Sequence, residues 1–167
     1  GLLGNKNTFN ATFIANDKGI SSNYKKAFFI YMTASNMGNS DAMCNAANML
    51  HEGIGVHTDI NEAIKWYKMA ISKNNPKAMH NYALMLYLGD GIPVNYEEAI
   101  EYFKMAADRG YARSMFFYAH MLEWGKGVPV NRKEAFKYYS MAAEKGDTSA
   151  MNRCAYMLLD DKEAPVD

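Results

Sequence analysis

The chain has 167 residues, 49% of them hydrophobic, with 18 Lys and Arg set against 18 Asp and Glu. That is long enough for a sizeable domain with a real core, and too apolar for a disordered segment. The balanced charge gives no reason to expect nucleic acid, an anionic lipid surface or an acidic substrate. No run approaches the roughly 18 apolar residues of a membrane helix.

The first elements in chain order are weakly marked: Ala11 and Ile14 suggest a degenerate helix over about 6–16, and Ala27 sits in a second over about 24–37. From residue 42 the pattern sharpens. Ala42, Met43, Ala46, Met49 and Leu50 follow the spacing of an amphipathic helix, predicted over 42–52. Gly53 supplies the left-handed residue that ends it, and Gly55 permits a second sharp turn. Asp59, with Glu62 three positions on, reads as the N-cap and capping box of a helix over about 60–73. Ala63, Tyr67 and Ala70 share its inner face, and Asn74-Asn75-Pro76 stops it.

This helix pair recurs every 36 residues. Ala27, Ala63, Ala99 and Ala135 keep that interval, as do Ala11, Ala47, Ala83, Ala119 and Ala155. So do Gly53, Gly89 and Gly125, and so do Gly19, Gly55, Gly91 and Gly127. Asn95 with Glu98 and Asn131 with Glu134 repeat the capping box, and Gly110 and Gly146 repeat the stop. Eleven of the thirteen methionines fall in the columns Met43/79/115/151, Met49/85/121/157 and Met69/105/141, all taken as core filler. A last helix over 149–160 lacks its partner, so nine helices are expected. The predicted fold is an all-α, right-handed α/α superhelix, a solenoid of antiparallel helix pairs. Its repeats run over about 6–41, 42–77, 78–113 and 114–149, with a half repeat over 150–167. The chain begins at Gly1 and ends at Asp167, where the next second helix should start, so it reads as a fragment of a longer chain. Asp161 and Glu163 replace the two glycines at that end, leaving Met151, Cys154, Ala155 and Leu158 without a covering helix. Self-association through this open end, or a frayed tail from about 161, is the expectation.

The recurring first-helix motif ends in Gly-x-Gly followed by Val or Ile. The second helix is carried by Glu98-Ala99-Ile100-Glu101-Tyr102-Phe103-Lys104-Met105-Ala106-Ala107-Asp108-Arg109-Gly110 and by Glu134-Ala135-Phe136-Lys137-Tyr138-Tyr139-Ser140-Met141-Ala142-Ala143-Glu144-Lys145-Gly146. Over about residues 24–160 the chain resembles the Sel-1-like repeat family, relatives of the tetratricopeptide repeat with a longer turn between the helices. The resemblance implies a non-enzymatic adaptor or scaffold binding a protein or peptide partner. Some disulfide-rich bacterial members bind β-lactam-like compounds, and that branch carries cysteine pairs within each repeat. Cys44 and Cys154, about three repeats apart, do not form such a framework. A small-molecule-binding or hydrolase-type solenoid of that branch is the alternative, as is a purely structural segment of a larger scaffold. Unpaired cysteines fit the cytoplasm, with the endoplasmic reticulum lumen as the alternative for a longer secretory-pathway chain.

In such repeats the first helices line the concave side. Three of their columns vary freely: Cys44/His80/Phe116/Asn152, Asn48/Leu84/His120/Tyr156 and His51/Tyr87/Glu123/Leu159, with Glu52, Leu88, Trp124 and Asp160 beside them. His80, Leu84, Tyr87, Phe116, His120, Trp124 and Tyr156 are therefore the candidate partner-binding residues, because aromatics are enriched where partners dock. The rival assignment packs some of these rings between repeats. His51, His80 and His120 stand in different columns, and no carboxylate or cysteine recurs at ligand spacing, so no metal or cofactor is expected. Ser114, Ser149 and Cys44 have no evident base, and no catalytic residue is assigned.

Overall fold

The structure, a computed structural model, describes residues 20–160. Among them are eight α-helices and no strand: α1 Ile20–Asn36, α2 Ser40–Glu52, α3 Ile60–Ser72, α4 Pro76–Leu88, α5 Tyr96–Asp108, α6 Ala112–Trp124, α7 Arg132–Glu144 and α8 Thr148–Leu159. The helix expected over 6–16 and the frayed tail from 161 lie outside the described residues.

The second helices α3, α5 and α7 begin as their capping boxes dictate. The side chains of Asp59, Asn95 and Asn131 accept hydrogen bonds from the backbone N–H groups of Glu62, Glu98 and Glu134 at 2.9, 3.1 and 3.0 Å. The amides of Asn95 and Asn131 also donate to the Glu98 and Glu134 carboxylates at 3.2 and 3.1 Å. Helix α2 starts two residues earlier than the apolar pattern suggested, and α8 one residue earlier, because each has a cap of its own. Asn39, Asn75 and Asp147 accept from the N–H groups of Ala42, Ala78 and Ala150, each at 2.9 Å. Asn75 therefore opens a helix rather than closing one, and Pro76 occupies the first helical turn, where a missing N–H costs nothing. Asn74 closes α3 instead. It adopts a φ of +62°, the left-handed conformation that Gly38, Gly110 and Gly146 take in the other copies.

The turn between the paired helices is also constant. The Asp59, Asn95 and Asn131 N–H groups each donate at 2.9 Å to the carbonyl of Leu50, Leu86 or Leu122. Here the second glycine of the Gly-x-Gly pair is required on two counts. Gly127 has a φ of +69°, and a Cβ on it would lie 2.7 Å from the Tyr96 carbonyl oxygen and 2.8 Å from the Glu97 nitrogen. Gly55 presses in the same way on the backbone of Tyr24. These two turns thus seat on the second helix of the preceding repeat, a close approach that only glycine permits.

Two compact units divide the chain, residues 1–70 and 71–167. In the described part of the first, α1 packs on α2, and Tyr67 of α3 donates to Asn48 of α2 at 2.6 Å. In the second, each of α4 to α7 packs on the next helix in sequence. Ala83, Ala99, Phe103, Ala106, Ala119, Ala135, Tyr139 and Ala142 are wholly buried there, with Met79, Met85, Met115 and Met121 between them. Small alanines let the helices approach while the ring and methionine side chains fill the remaining gaps, each contributing about 1.5–3 kcal/mol on burial. The third methionine column is not core, contrary to expectation: Met69 is 45% exposed and Met105 36%. It lies on the solvent side of the second helices. Met151 is likewise 45% exposed on α8, where no further helix among the described residues covers it.

Candidate partner-binding face

In the second unit, the first helices of the repeats carry an array of rings. Tyr87 of α4 is its hub. Its ring centroid lies 5.5 Å from Tyr96, 5.9 Å from Phe117 and 6.4 Å from His120. His120 stacks near-parallel on Phe116 at 6.3 Å and sits 6.3 Å from Trp124. Phe117 stacks on the buried Phe103 at 5.0 Å, anchoring the array to the core. The array grades toward solvent: Tyr87, Phe116 and His120 are half-buried and Trp124 is 56% exposed, while Tyr156 on α8, in the column of His120, is 65% exposed. Leu84 is half-buried, and Leu88 beside Tyr87 is 64% exposed.

His80 does not join this face. It is buried, its Nδ1 lies 2.8 Å from the Ser114 hydroxyl, and Phe103, Tyr111 and Phe117 surround it at 5.1–5.6 Å. The rival assignment, packing between repeats, describes this side chain, because its column neighbours Cys44 and Phe116 are also wholly or partly covered. Burial, with the nearby Arg113 guanidinium as a lesser cause, lowers the His80 pKa to about 4, so the ring is neutral at physiological pH. Burial lowers the His120 pKa as well, helped by Lys126.

Cations border the rings at three places that the sequence pattern did not single out. Arg113 lies over Phe116 and Phe117 at 5.7 and 5.6 Å and pairs with Asp147 at 3.6 Å. Arg153 of α8 lies over Trp124 at 5.4 Å and makes a two-pronged contact with Glu123, in which Nε donates to Oε2 at 2.8 Å. Lys126, between the turn glycines, donates to the Tyr87 hydroxyl at 2.7 Å and lies 4.7 Å above that ring. Glu123 is buried, with Tyr139 also donating to it at 3.0 Å. Burial alone would raise its carboxyl, but the hydrogen bonds from Arg153 and Tyr139 outweigh that and hold it below the usual range. Phe117 escaped notice because its column holds Asn45, Asn81 and Arg153, which read as a polar position.

Among the described residues, no three His, Cys, Asp or Glu side chains gather to hold a metal ion, and no helix is long and apolar enough to cross a membrane. Neither Cys44 nor Cys154 forms a disulfide.

The Sel1 repeat model matches five consecutive segments, residues 13–39, 40–75, 76–111, 112–147 and 148–167. No curated protein matches the chain in sequence. Among solved structures, a Sel1 repeat protein from Oxalobacter formigenes is 30% identical with a TM-score of 0.80, over 96% of this chain and 66% of that one. A protective antigen of uropathogenic Escherichia coli displaying an SLR fold is 21% identical, with a TM-score of 0.51, over 98% of this chain and 44% of that one. Cysteine rich protein B of Helicobacter pylori is 17% identical, with a TM-score of 0.64, over 80% of this chain and 96% of that one. The last two likenesses concern the fold alone.

Proposed function

The chain belongs to the Sel1 repeat family, whose members generally mediate protein–protein interaction on a fold that is typically a non-catalytic scaffold, and on that premise we propose that it is an adaptor without catalytic activity of its own. Its partner, a protein or peptide, docks on the first-helix face of the second unit, against Leu84, Tyr87, Phe116, His120, Trp124 and Tyr156. The observation that carries this reading is the graded ring array. Solvated helix faces rarely leave a Trp and a Tyr more than half exposed beside a half-buried run of rings. Such rigid aromatic anchors are the side chains that dominate binding energies at interfaces.

The test compares the parent with Trp124→Ala/Tyr156→Ala. A protein captured on the parent from native cells is purified, and its direct binding to both forms is measured by calorimetry. Both exposed rings can be truncated without opening the core, so helicity should persist while affinity falls by at least about tenfold. Lys104→Ala, on the outer face of α5, serves as the control and should bind like the parent. Equal binding by parent and double variant would place the interface elsewhere.

A further inference from the structure

The three cations that touch the ring array are not equivalent. Arg113 has the carboxylate of Asp147, and Arg153 has that of Glu123. Lys126 has a hydroxyl, Tyr87, and two ring faces, Tyr87 at 4.7 Å and Tyr96 at 5.5 Å; no carboxylate among the described residues pairs with it. An ammonium carries three N–H donors, and only one is engaged by Tyr87. The bond to Tyr87 also raises the Lys126 pKa, so it stays charged over the physiological range. The array therefore holds one uncompensated positive charge at its centre, half-buried against rings, where a charge-assisted hydrogen bond is stronger than in open water.

Resting on the docking face assigned above, we propose that the partner enters as an extended segment whose internal Asp or Glu side chain is held by Lys126, with apolar side chains on either side seated against Leu88 and Trp124. The flanking exposure decides between an internal acid and a chain terminus. Leu88 is 64% exposed next to Tyr87 on α4, and Trp124 is 56% exposed two residues before Lys126 at the end of α6. Exposed apolar side chains thus lie within two residues in sequence of both Lys126 and the Tyr87 that it bonds, on two helices, which suits a segment that runs through. One lone cation among rings also fits a single carboxylate better than a phosphate chain, whose binding rests on neutralising several charges at once.

The probes are three pools of short synthetic peptides, acetylated at the N-terminus and randomised over Leu, Phe, Tyr and Trp around one fixed central residue. The first pool has Glu at the centre and an amidated C-terminus. The second replaces Glu by Gln. The third keeps Gln and frees the C-terminal carboxylate. Binding to the intact chain is read by fluorescence anisotropy. The Glu pool should bind about tenfold tighter than either Gln pool. Lys126→Met should erase that advantage, Lys126→Arg should keep it, and Trp124→Ala should weaken all binding. Equal binding of the Glu and Gln pools, indifference to Lys126→Met, or a preference for the free C-terminus would overturn the proposal. If the Glu and Gln pools bind equally but lose binding with Trp124→Ala, the docking face stands and the acidic contact falls. If no pool binds, or Trp124→Ala changes nothing, both fall together.

Discussion

His80 shows how one ring can couple stability to pH. Ser114, Phe103, Tyr111 and Phe117 enclose it, and Arg113 is the charged group that acts on it. Its folded pKa of about 4 lies below the ordinary 6.5, so the unfolded chain binds the proton more readily. The stabilisation is therefore full above pH 6.5 and drains away as pH falls toward 4, by a total on the order of 3 kcal/mol. Urea titrations across that window should show the slope, and His80→Gln, which keeps a polar group for Ser114 but cannot take the charge, should reduce it, leaving the share of His120, whose pKa is lowered as well. Glu123 adds a separate loss at lower pH. Its carboxyl is held below the usual range, so its share persists above the ordinary carboxylate pKa and disappears as pH falls through the depressed value. Neither role was legible in the sequence. His80 shares a column with Cys44, Phe116 and Asn152, and variability there looked like a surface matched to something outside. It records instead that each copy fills the same internal gap with a different shape.

Among the elements, α8 is held differently from the others. Arg153 ties it to the buried Glu123 of α6, and Arg132 of α7 reaches Asp160 just beyond its end at 3.4 Å. Removing one partner of such a pair leaves a buried charge uncompensated. Arg153→Met should cost about 2–3 kcal/mol, since Arg153 is itself partly exposed, and hydrogen exchange should rise over α8 while α5 and α6 stay protected. Adding Glu123→Gln should recover much of the loss. The turns offer a sharper contrast. Gly127→Ala forces both a left-handed alanine and a collision with Tyr96, whereas a Cβ on Gly146, with a φ of +91°, meets nothing within 4 Å. Melting curves should show Gly127→Ala losing about 2–4 kcal/mol and Gly146→Ala about 1–2 kcal/mol. Caps at Asp59, Asn95 and Asn131 were legible because the capping box is a local signature. The cap at Asn75 was not, because Asn-Asn-Pro can end one helix and begin the next, and here it does both.

For the stack as a whole, position matters more than residue type. Ala119 and Ala155 occupy the same column, yet Ala119 is wholly buried on α6, which packs against both α5 and α7, while Ala155 is exposed on α8, packed chiefly on α7. Where neighbouring repeats supply most of the stability, the same substitution should then have unequal effects. Ala119→Asp should abolish or nearly abolish folding of the second unit, at 4 kcal/mol or more in rough terms, and Ala155→Asp should cost under about 1 kcal/mol by urea denaturation. The all-α repeat fold was legible throughout, since period, caps and turn glycines agree from copy to copy. The distribution of cations around the rings was not, because Arg113, Lys126 and Arg153 stand in columns of mixed charge, with Asp41, Asp90 and Phe117 among their counterparts.

The uneven shielding of the methionines gives the molecule a built-in chemical clock. Met69, Met105 and Met151 offer their thioethers to solvent, whereas Met79, Met115 and Met121 are sealed. Under dilute peroxide the first three should become sulfoxides while the fold persists, since a polar oxygen there meets water. The second three should react only when a repeat opens, so mass mapping of the sulfoxides over time would time the opening of each helix pair without any label.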